Sequence, residues 1–506
     1  MPDRAEPVAR TTRTTSAPIP SGSDFAYRTA AELAEAMAAG QVSAVELAQD
    51  AIERIERYDG TINAVCVRDF DRALAAAREA DAARARGDLR PLLGIPMTVK
   101  ESFNVAGLPT TWGMPWFRDF TASEDALAVA RVKAAGAVIL GKTNVPLALG
   151  DLQSYNDIYG TTRNPWDPTR TPGGSSGGSA AALAAGYGAL SLGSDIAGSL
   201  RAPAHYCGVY AHKPTFGLVP ARGHTPPPAP PIAIERDLAV IGPMARSAAD
   251  LSLLLDILAE PDELTLGAAY RLALPPARHH ELANYRVLLI DTHPLIPTAA
   301  SVRSALDQLA GHLAAAGAKV ERESPLLPDQ AEAGTLYLRL LFSVFSANLP
   351  PEEYERIRAA AAGLVDTDSG PAAARLRGFA LTHRDWLLAD GERARLRQRW
   401  RELFTEFDVV VCPAMPTPAF PHDQTDMGSR RITIDGSSYD YGDQLAWAGV
   451  ATAPGLPATA LPIGTSETGL PIGAQVIGPM FSDRTTLRFA ELVERDFGGF
   501  TPPPLD

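Results

Sequence analysis

Apolar residues recur at helical spacing near the start of the chain. Between residues 29 and 57 they lie three to five positions apart among Ala and Glu, and the pattern breaks at Gly40-Gln41. A stripe with this period is typical of one face of an amphipathic helix. Ser43 follows the break, and serine is a favoured residue at a helix N-cap. The pattern therefore predicts two helices, with Ser43 capping the second.

Further along the chain, short apolar runs alternate with helical patterns. The runs predict strands at 91–99, 137–141, 285–291, 319–321 and 409–411. The periodic segments predict helices at 125–135, 179–189, 301–316, 334–347 and 384–404, and another helix starting near residue 200. Such alternation of strand and helix indicates an α/β protein with a mixed sheet. The proline-rich segment 224–231 can form neither element and is expected as an extended surface loop.

Composition narrows the classes of function. The 506 residues carry a formal net charge of −13. Nucleic-acid binding needs a concentrated basic face, and no basic run is present, so no nucleic-acid partner is expected. No apolar stretch reaches the roughly 18–20 residues of a membrane span, so no membrane association is expected. Residues 1–24 mix charges with Thr, Ser and Pro and predict a disordered or loosely packed arm.

The three cysteines favour a reducing compartment. They are scattered through the chain and fit neither a disulfide framework nor a zinc site, so they are interpreted as buried free thiols. Together with the lack of an apolar signal core in the first 24 residues, this predicts a cytoplasmic protein. The three are Cys66, Cys207 and Cys412.

Two runs of small residues carry serine hydroxyls on glycine-rich backbone. They are TPGGSSGGS at 171–179 and GSDIAGSLRAP at 193–203. Glycine admits positive φ and close approach, so a serine among glycines can be held in a conformation that bulkier neighbours forbid. Alone, the first run would be typical of a flexible linker, and Ser199 of a helix cap. A serine nucleophile also needs a base within hydrogen-bond reach.

Lys100 is the candidate base. It ends the apolar run that begins at Gly94, and burial there would lower the pKa of its amine. Taken alone, a single lysine is usually a solvated surface charge. However, Ser175 follows Lys100 by 75 positions, and Ser199 follows Ser175 by 24.

With this spacing the chain resembles the amidase signature hydrolases, which use a Ser-Ser-Lys triad. The resemblance extends to TNVP at 143–146, YGTTRNPWD at 159–167, CGV at 207–209, KPT at 213–215, GPMARS at 242–247 and PGLP at 454–457. It implies one large α/β domain over residues 25–506, with a mixed, largely central twisted β-sheet covered by helices on both faces.

The resemblance also implies a role for each residue of the triad. Ser199 is the expected nucleophile, Lys100 the general base, and Ser175, on a cis peptide bond, the hydroxyl that bridges them. Ser175 would accept a hydrogen bond from Ser199 and donate one to the neutral amine. The expected oxyanion donors are the backbone amides of Ile196, Ala197, Gly198 and Ser199. No metal and no cofactor are implied.

Other residues offer competing chemistry. Asp195 could be a triad acid, but its closeness to Ser199 favours a structural pair with Arg201. His205 and His212 invite a Ser-His-Asp triad, yet neither has flanking residues that single it out. Cys412 could serve a Cys-Glu-Lys set as in nitrilase-type amidases, but no glutamate and lysine flank it in the needed pattern.

The predicted substrate is a small amide or carbamate. The segment 199–214 resembles the nylon-oligomer-hydrolysing and urethane-cleaving amidases, and the same chemistry tolerates esters. Where the family commonly has glycine, Ala197 narrows the space beside the acyl group. The candidate substrate-binding residues are Gly174, Tyr337, Phe342 and Trp447; for the aromatic ones, core packing is the alternative.

The predicted reaction is hydrolysis of a linear C–N amide bond by a monomer or homodimer, through an acyl-serine intermediate. Two alternatives stay open. One is the glutamine-hydrolysing subunit of an amidotransferase, which would supply ammonia to a partner. The other is a non-catalytic family scaffold that acts through binding.

Overall fold

The computed structural model describes residues 25–365 and 367–505. The arm predicted for residues 1–24 lies outside the described residues. The helices are α1 (Ala30–Ala38), α2 (Ala44–Ile62), α3 (Phe70–Ala85), α4 (Leu127–Ala134), α5 (Gly177–Ala184), α6 (Arg201–Cys207), α7 (Ala248–Leu258), α8 (Ala300–Ala315), α9 (Gln330–Ser346), α10 (Pro351–Ala362), α11 (Pro371–Phe379), α12 (His383–Glu406), α13 (Leu445–Thr452) and α14 (Asp483–Phe497).

Eleven of the described strands form one sheet. The strands are β1 (Val65–Arg68), β2 (Pro96–Lys100), β3 (Val138–Thr143), β4 (Tyr155–Asn156), β5 (Gly160–Thr161), β6 (Leu190–Asp195), β7 (Tyr210–Lys213), β8 (Val240–Ala245), β9 (Arg286–Leu289), β10 (Lys319–Glu321), β11 (Val409–Pro413), β12 (Arg431–Ile434), β13 (Ser437–Asp440), β14 (Ala458–Thr465) and β15 (Pro471–Ile477). The eleven strands of the large sheet lie in the order β1, β3, β2, β6, β8, β7, β14, β15, β11, β9, β10. Two separate hairpins pair β4 with β5 and β12 with β13.

The sheet is mixed and central, as expected. β2 runs parallel to β3 and β6, and β9 runs parallel to β10 and β11, while the strands between these groups pair antiparallel. Every residue of β2, β3 and β6 is buried. Successive side chains of a strand point to opposite faces, so these strands are covered on both faces. The predicted single α/β fold is confirmed.

Capping boxes begin the first two helices. Thr29 and Ser43 each accept a hydrogen bond from the amide three residues later, and Glu32 and Glu46 each accept one from the cap residue's own amide. These reciprocal bonds form capping boxes, which satisfy orphan donors at a helix start. The prediction of a break at Gly40-Gln41 and a cap at Ser43 is confirmed.

The strand predicted from residue 91 begins later. β2 starts at Pro96, and residues 91–94 form a turn. Gly94 has φ +85, and a side chain there would come within 2.6 Å of the Ala44 methyl group. Positive φ is incompatible with an extended strand, so the apolar run splits into a turn and a five-residue strand. The other predicted elements are present with shifts of a few residues, and segment 224–231 contains no helix or strand.

Candidate active site

Two neighbouring parallel strands bring the candidate residues together. Lys100 is the last residue of β2 and Asp195 the last of β6, and Val99 pairs with Leu192 across the two strands. Carboxyl ends of parallel strands meet at one edge of a sheet, where α/β proteins commonly build their sites. Lys100 and the turn that leads to Ser199 therefore lie side by side.

Lys100 is fully buried and contacts two hydroxyl groups. Its Nζ donates to Ser175 Oγ at 2.7 Å and to Ser194 Oγ at 2.9 Å. Burial lowers the pKa of Lys100 to about 7, while the nearby Asp195 carboxylate acts in the opposite direction. With this pKa a large fraction of the amine is neutral near pH 7, as a general base requires.

The loop before α5 holds Ser175 against Lys100. The Gly174–Ser175 peptide bond is cis, as the family resemblance implied. A side chain at Gly174 would come within 2.3 Å of the Asp151 carbonyl oxygen and 2.7 Å of the Gln153 amide nitrogen. These are backbone atoms that cannot rotate away, so only glycine fits. Gly174 thus lets the loop pack closely; its predicted contact with substrate stays a prediction.

Ser199 ends the turn that follows β6. Its carbonyl oxygen accepts a hydrogen bond from the Ser176 amide at 3.2 Å, which joins this turn to the loop of Ser175. The residue is 5% exposed. Within residues 25–365 and 367–505 its hydroxyl has no hydrogen-bond partner, so the bond from Ser199 to Ser175 stays a prediction.

The turn before Ser199 presents backbone amides. Gly198 has φ +91, which favours glycine. Its amide donates to Asp195 Oδ1 at 2.9 Å, so this member of the predicted oxyanion set is already engaged. The amides of Ile196, Ala197 and Ser199 have no acceptor in the described part of the chain and are free for an incoming oxyanion, for which they remain the predicted donors.

Asp195 forms the predicted structural pair with Arg201. The guanidinium donates to both carboxylate oxygens, at 2.9 and 3.0 Å, and both side chains are buried. Burial alone would raise the pKa of Asp195, but Arg201 and then Lys213 hold it at about 2. The ionised carboxylate also accepts from the Leu200 amide at 3.1 Å. Asp195 therefore shapes the turn.

The two candidate histidines are held by hydrogen bonds to other segments of the chain, and the three cysteines are free thiols. His205 Nδ1 accepts a hydrogen bond from the Gly473 amide, and Nε2 donates one to the Thr417 carbonyl oxygen, each at 2.9 Å. His212 bonds Thr459 and Asp483, and burial lowers the pKa of both imidazoles. Cys207 and Cys412 are buried free thiols as predicted, whereas Cys66 is half-buried.

The predicted pocket residues occupy different places. Tyr337 is buried and its hydroxyl donates to the Ile196 carbonyl at 3.1 Å. Trp447 is buried against His293, with ring centres 5.3 Å apart. Phe342 packs against aromatic rings of α9 and α11. Tyr337 thus supports the oxyanion turn, and substrate contact by any of the three stays a prediction.

Sequence reasoning missed Ser194. It lies five residues before Ser199 and gives Lys100 its second hydroxyl partner. The signal was available, because Ser194 belongs to the same run of small residues as Ser199. Sequence reasoning also missed Glu101, the residue after Lys100. Its carboxylate accepts hydrogen bonds from the amides of Thr111 and Trp112 at 2.6 and 2.9 Å.

A separate cavity of about 1100 Å³ lies between α9, α10, α11 and α12. Five carboxylates and five arginines are among its lining residues, and none of the triad residues is. Across the described residues, no helix is long and apolar enough to cross a bilayer. The same residues contain no cluster of three or more His, Cys, Asp or Glu arranged to hold a metal ion.

The mixed α/β fold, with a buried lysine next to serine hydroxyls, is that of enzymes that hydrolyse C–N bonds. The family model described as Amidase matches residues 46–487. The chain therefore belongs to the Amidase family. The boundaries of the predicted domain, 25 and 506, extend beyond that match and stay predictions.

Similar proteins and solved structures also support membership of this family. The chain is 36% identical over 503 residues to a glutamyl-tRNA(Gln) amidotransferase subunit from Roseiflexus castenholzii, covering 92% of this chain and 95% of the relative. A solved structure of the same subunit from Thermotoga maritima matches with TM-score 0.75 and 26% identity, covering 96% and 99% of the two chains. A chain from a vestigial complex, described as revealing the origins of an s-triazine catabolic enzyme, matches with TM-score 0.77 and 31% identity, covering 93% and 99%.

Proposed function

We propose that this chain hydrolyses a carboxamide C–N bond through an acyl intermediate on Ser199 Oγ. The contact that carries the proposal is the hydrogen bond of 2.7 Å between Lys100 Nζ and Ser175 Oγ, made by an amine whose burial brings its pKa to about 7. A neutral amine next to one serine and a turn with another serine nearby are the parts that a proton relay needs.

The proposed steps balance in protons and bonds. Ser199 Oγ attacks the carbonyl carbon while its proton passes to Ser175 Oγ, and the Ser175 proton passes to Lys100 Nζ. The oxyanion is bound by free amides of the 196–199 turn. Lys100 then returns a proton through Ser175 to the leaving nitrogen, and the C–N bond breaks. Water hydrolyses the acyl-Ser199 ester by the same relay.

The side-chain amide of glutamine is the substrate that the relatives favour. Relatives named as one subunit of glutamyl-tRNA(Gln) amidotransferase match at 33–36% identity over at least 90% of this chain. Under this candidate the chain releases ammonia for use by other subunits of an amidotransferase. Any tRNA contact would then fall mainly to those other subunits, because this chain has a net charge of −13 and no basic run.

A small amide or carbamate is the second candidate. It is favoured by Ala197, whose methyl group lies in the turn where the family commonly has glycine. Among the solved structures, 6-aminohexanoate cyclic dimer hydrolase supports this candidate. It is 25% identical to this chain and matches with TM-score 0.72. Urethane cleavage and action as a monomer or homodimer belong to this candidate.

A substrate panel with a matched serine variant tests the proposal. The substrates are L-glutamine, pentanamide, acetanilide and ethyl N-phenylcarbamate, assayed with wild type, Ser199→Ala and Ser191→Ala. Ser191 is also buried and hydrogen-bonded, at 2.9 Å to Thr98, but lies away from the turn. Ser199→Ala should lose turnover of every substrate, and Ser191→Ala should retain it.

The panel also separates the candidates. A preference for glutamine, with activity that rises on adding the other amidotransferase subunits, supports the first candidate. A preference for acetanilide or the carbamate by the chain alone supports the second. If wild type cleaves none of them and a fluorophosphonate probe leaves Ser199 unlabelled, the proposal fails and a non-catalytic scaffold becomes the better interpretation.

A further inference from the structure

A half-buried arginine lies next to Trp112 and has no carboxylate partner among the described residues. The guanidinium carbon of Arg236 is 6.0 Å from the ring centre of Trp112. Among residues 25–365 and 367–505, no carboxylate lies within ion-pair distance of Arg236, and no carbonyl or hydroxyl accepts a hydrogen bond from it. Removing a cation from water without a partner costs free energy. The guanidinium of Arg236 therefore needs an anion or water molecules as its hydrogen-bond partners.

Other arginines with restricted exposure in this protein do have partners. Arg222, on the same segment, donates to Asp262 at 2.8 Å. Arg393 pairs with Asp237, the residue next to Arg236, at 2.6 Å. Arg236 thus lies beside a carboxylate that already binds another cation. The guanidinium nitrogens of Arg236 are not fully buried, so solvent or a ligand can reach them.

A short series of contacts connects Arg236 to Lys100. Ser102, two residues after Lys100, lies 2.9 Å from His224 Nε2 through its hydroxyl and accepts from Trp112 Nε1 at 3.0 Å through its carbonyl. The His224 and Trp112 rings pack with centres 5.1 Å apart. Trp112 is buried, so it is a fixed platform between Lys100 and Arg236.

The imidazole of His224 lies close to both Lys100 and Arg236. Burial, then the charge of Lys100, then that of Arg236, lowers the pKa of His224 well below its usual value. A neutral His224 carries no charge that could compete for an anion. Arg236 is therefore the cation next to Trp112 that can bind an anion while Lys100 acts as the neutral base.

We infer that Arg236 is a specificity residue that binds a carboxylate carried by the amide substrate on the Lys100 side of the site. This inference rests on the proposed amide hydrolysis. An arginine fork pairs with a carboxylate through two parallel hydrogen bonds, and Trp112 holds the guanidinium in place. The preferred substrates are then amides that carry a carboxylate, whereas uncharged amides of the same length lack this contact.

Two substrates of matched length test the assignment. Glutaramate, the monoamide of glutaric acid, carries a carboxylate, and pentanamide has the same chain without it. Hydrolysis of both is measured with wild type, Arg236→Gln, Arg236→Lys and Arg356→Gln. The last is a charge-matched control, since the Arg356 side chain is 77% exposed on α10.

For glutaramate, Arg236→Gln should lower kcat/KM by about 10- to 100-fold, mainly through KM, because a hydrogen bond to a charged group is lost. Pentanamide should change by less than about twofold. Arg236→Lys should recover part of the glutaramate activity, and Arg356→Gln should match wild type. Equal losses on both substrates, or no loss on glutaramate, would overturn the assignment.

A binding measurement separates this inference from the proposed function. Glutaramate should raise the Tm of wild type more than that of Arg236→Gln, whereas pentanamide should not distinguish them. If wild type cleaves neither amide and the Tm difference persists, the proposed function fails and the anion site stands. If both amides are cleaved with no such differences, the proposed function stands and the anion site fails.

Discussion

Tyr337 donates its phenolic hydrogen to the carbonyl oxygen of Ile196 across a distance of 3.1 Å. The two residues are 141 positions apart in the chain. This bond holds the first residue of the proposed oxyanion turn from the side of α9. Through it, a helix that is remote in sequence sets the position of amides next to Ser199.

Replacing Tyr337 with phenylalanine removes this bond and leaves the ring. We expect kcat to fall by roughly tenfold, less than the 10²–10³ that loss of a whole oxyanion donor costs, because the turn is loosened and not dismantled. Tyr285→Phe is the matched control, since the buried Tyr285 donates to the His279 carbonyl at 3.3 Å in the segment before β9. Both variants should lose about 1 kcal/mol of stability. Equal kcat values for the two would contradict the role of Tyr337.

The pH dependence of turnover should report the protonation of Lys100. Burial lowers the pKa of Lys100 to about 7, and the relay needs the neutral amine. The rate should therefore rise with pH up to about pH 7 and level off above it. Burial lowers the pKa of His205 and of His212, which moves their titration away from that of Lys100. A kcat profile that is flat between about pH 6 and pH 8 would count against Lys100 as the base.

Asp195→Asn should strongly destabilise the protein. The change leaves the buried Arg201 guanidinium without its carboxylate, and breaking a buried pair in this way costs about 3–5 kcal/mol. Urea unfolding measures the loss. Asp307→Asn is the control, because Asp307 pairs with Arg322 at the surface, where such pairs contribute about 1 kcal/mol or less. Similar losses in the two variants would show that the buried pair is not a determinant of stability.

Gly174→Ala should abolish activity, because the new methyl group would meet backbone atoms of Asp151 and Gln153 and displace Ser175 from Lys100. The control is Gly391→Ala in α12, where no atom outside the local helix backbone lies within 4 Å of the added carbon. That change should stabilise the helix by about 0.5–1 kcal/mol. Wild-type kcat in Gly174→Ala would mean that the loop does not depend on this close approach.

Local sequence signals were reliable where the physics is local. The capping boxes at Thr29 and Ser43 involve residues three positions apart, and the helices begin there. By contrast, the apolar run from residue 91 looked like one strand, and the turn at Gly94 became visible only through its contact with Ala44 of α2. Close approach between distant segments leaves little trace in a linear pattern.

The sequence by itself determined the α/β class and the cap at Ser43, because periodicity and capping residues are properties of the chain, and the family resemblance of its motifs indicated Lys100, Ser175 and Ser199 as the triad. The tertiary structure decided which of these groups meet and in what electrostatic state. Burial in the sheet lowers the pKa of Lys100, Asp195 engages the Gly198 amide, and Arg236 is left beside Trp112 without a carboxylate among the described residues. Burial and charge pairing depend on segments far apart in sequence, so only the folded chain specifies them.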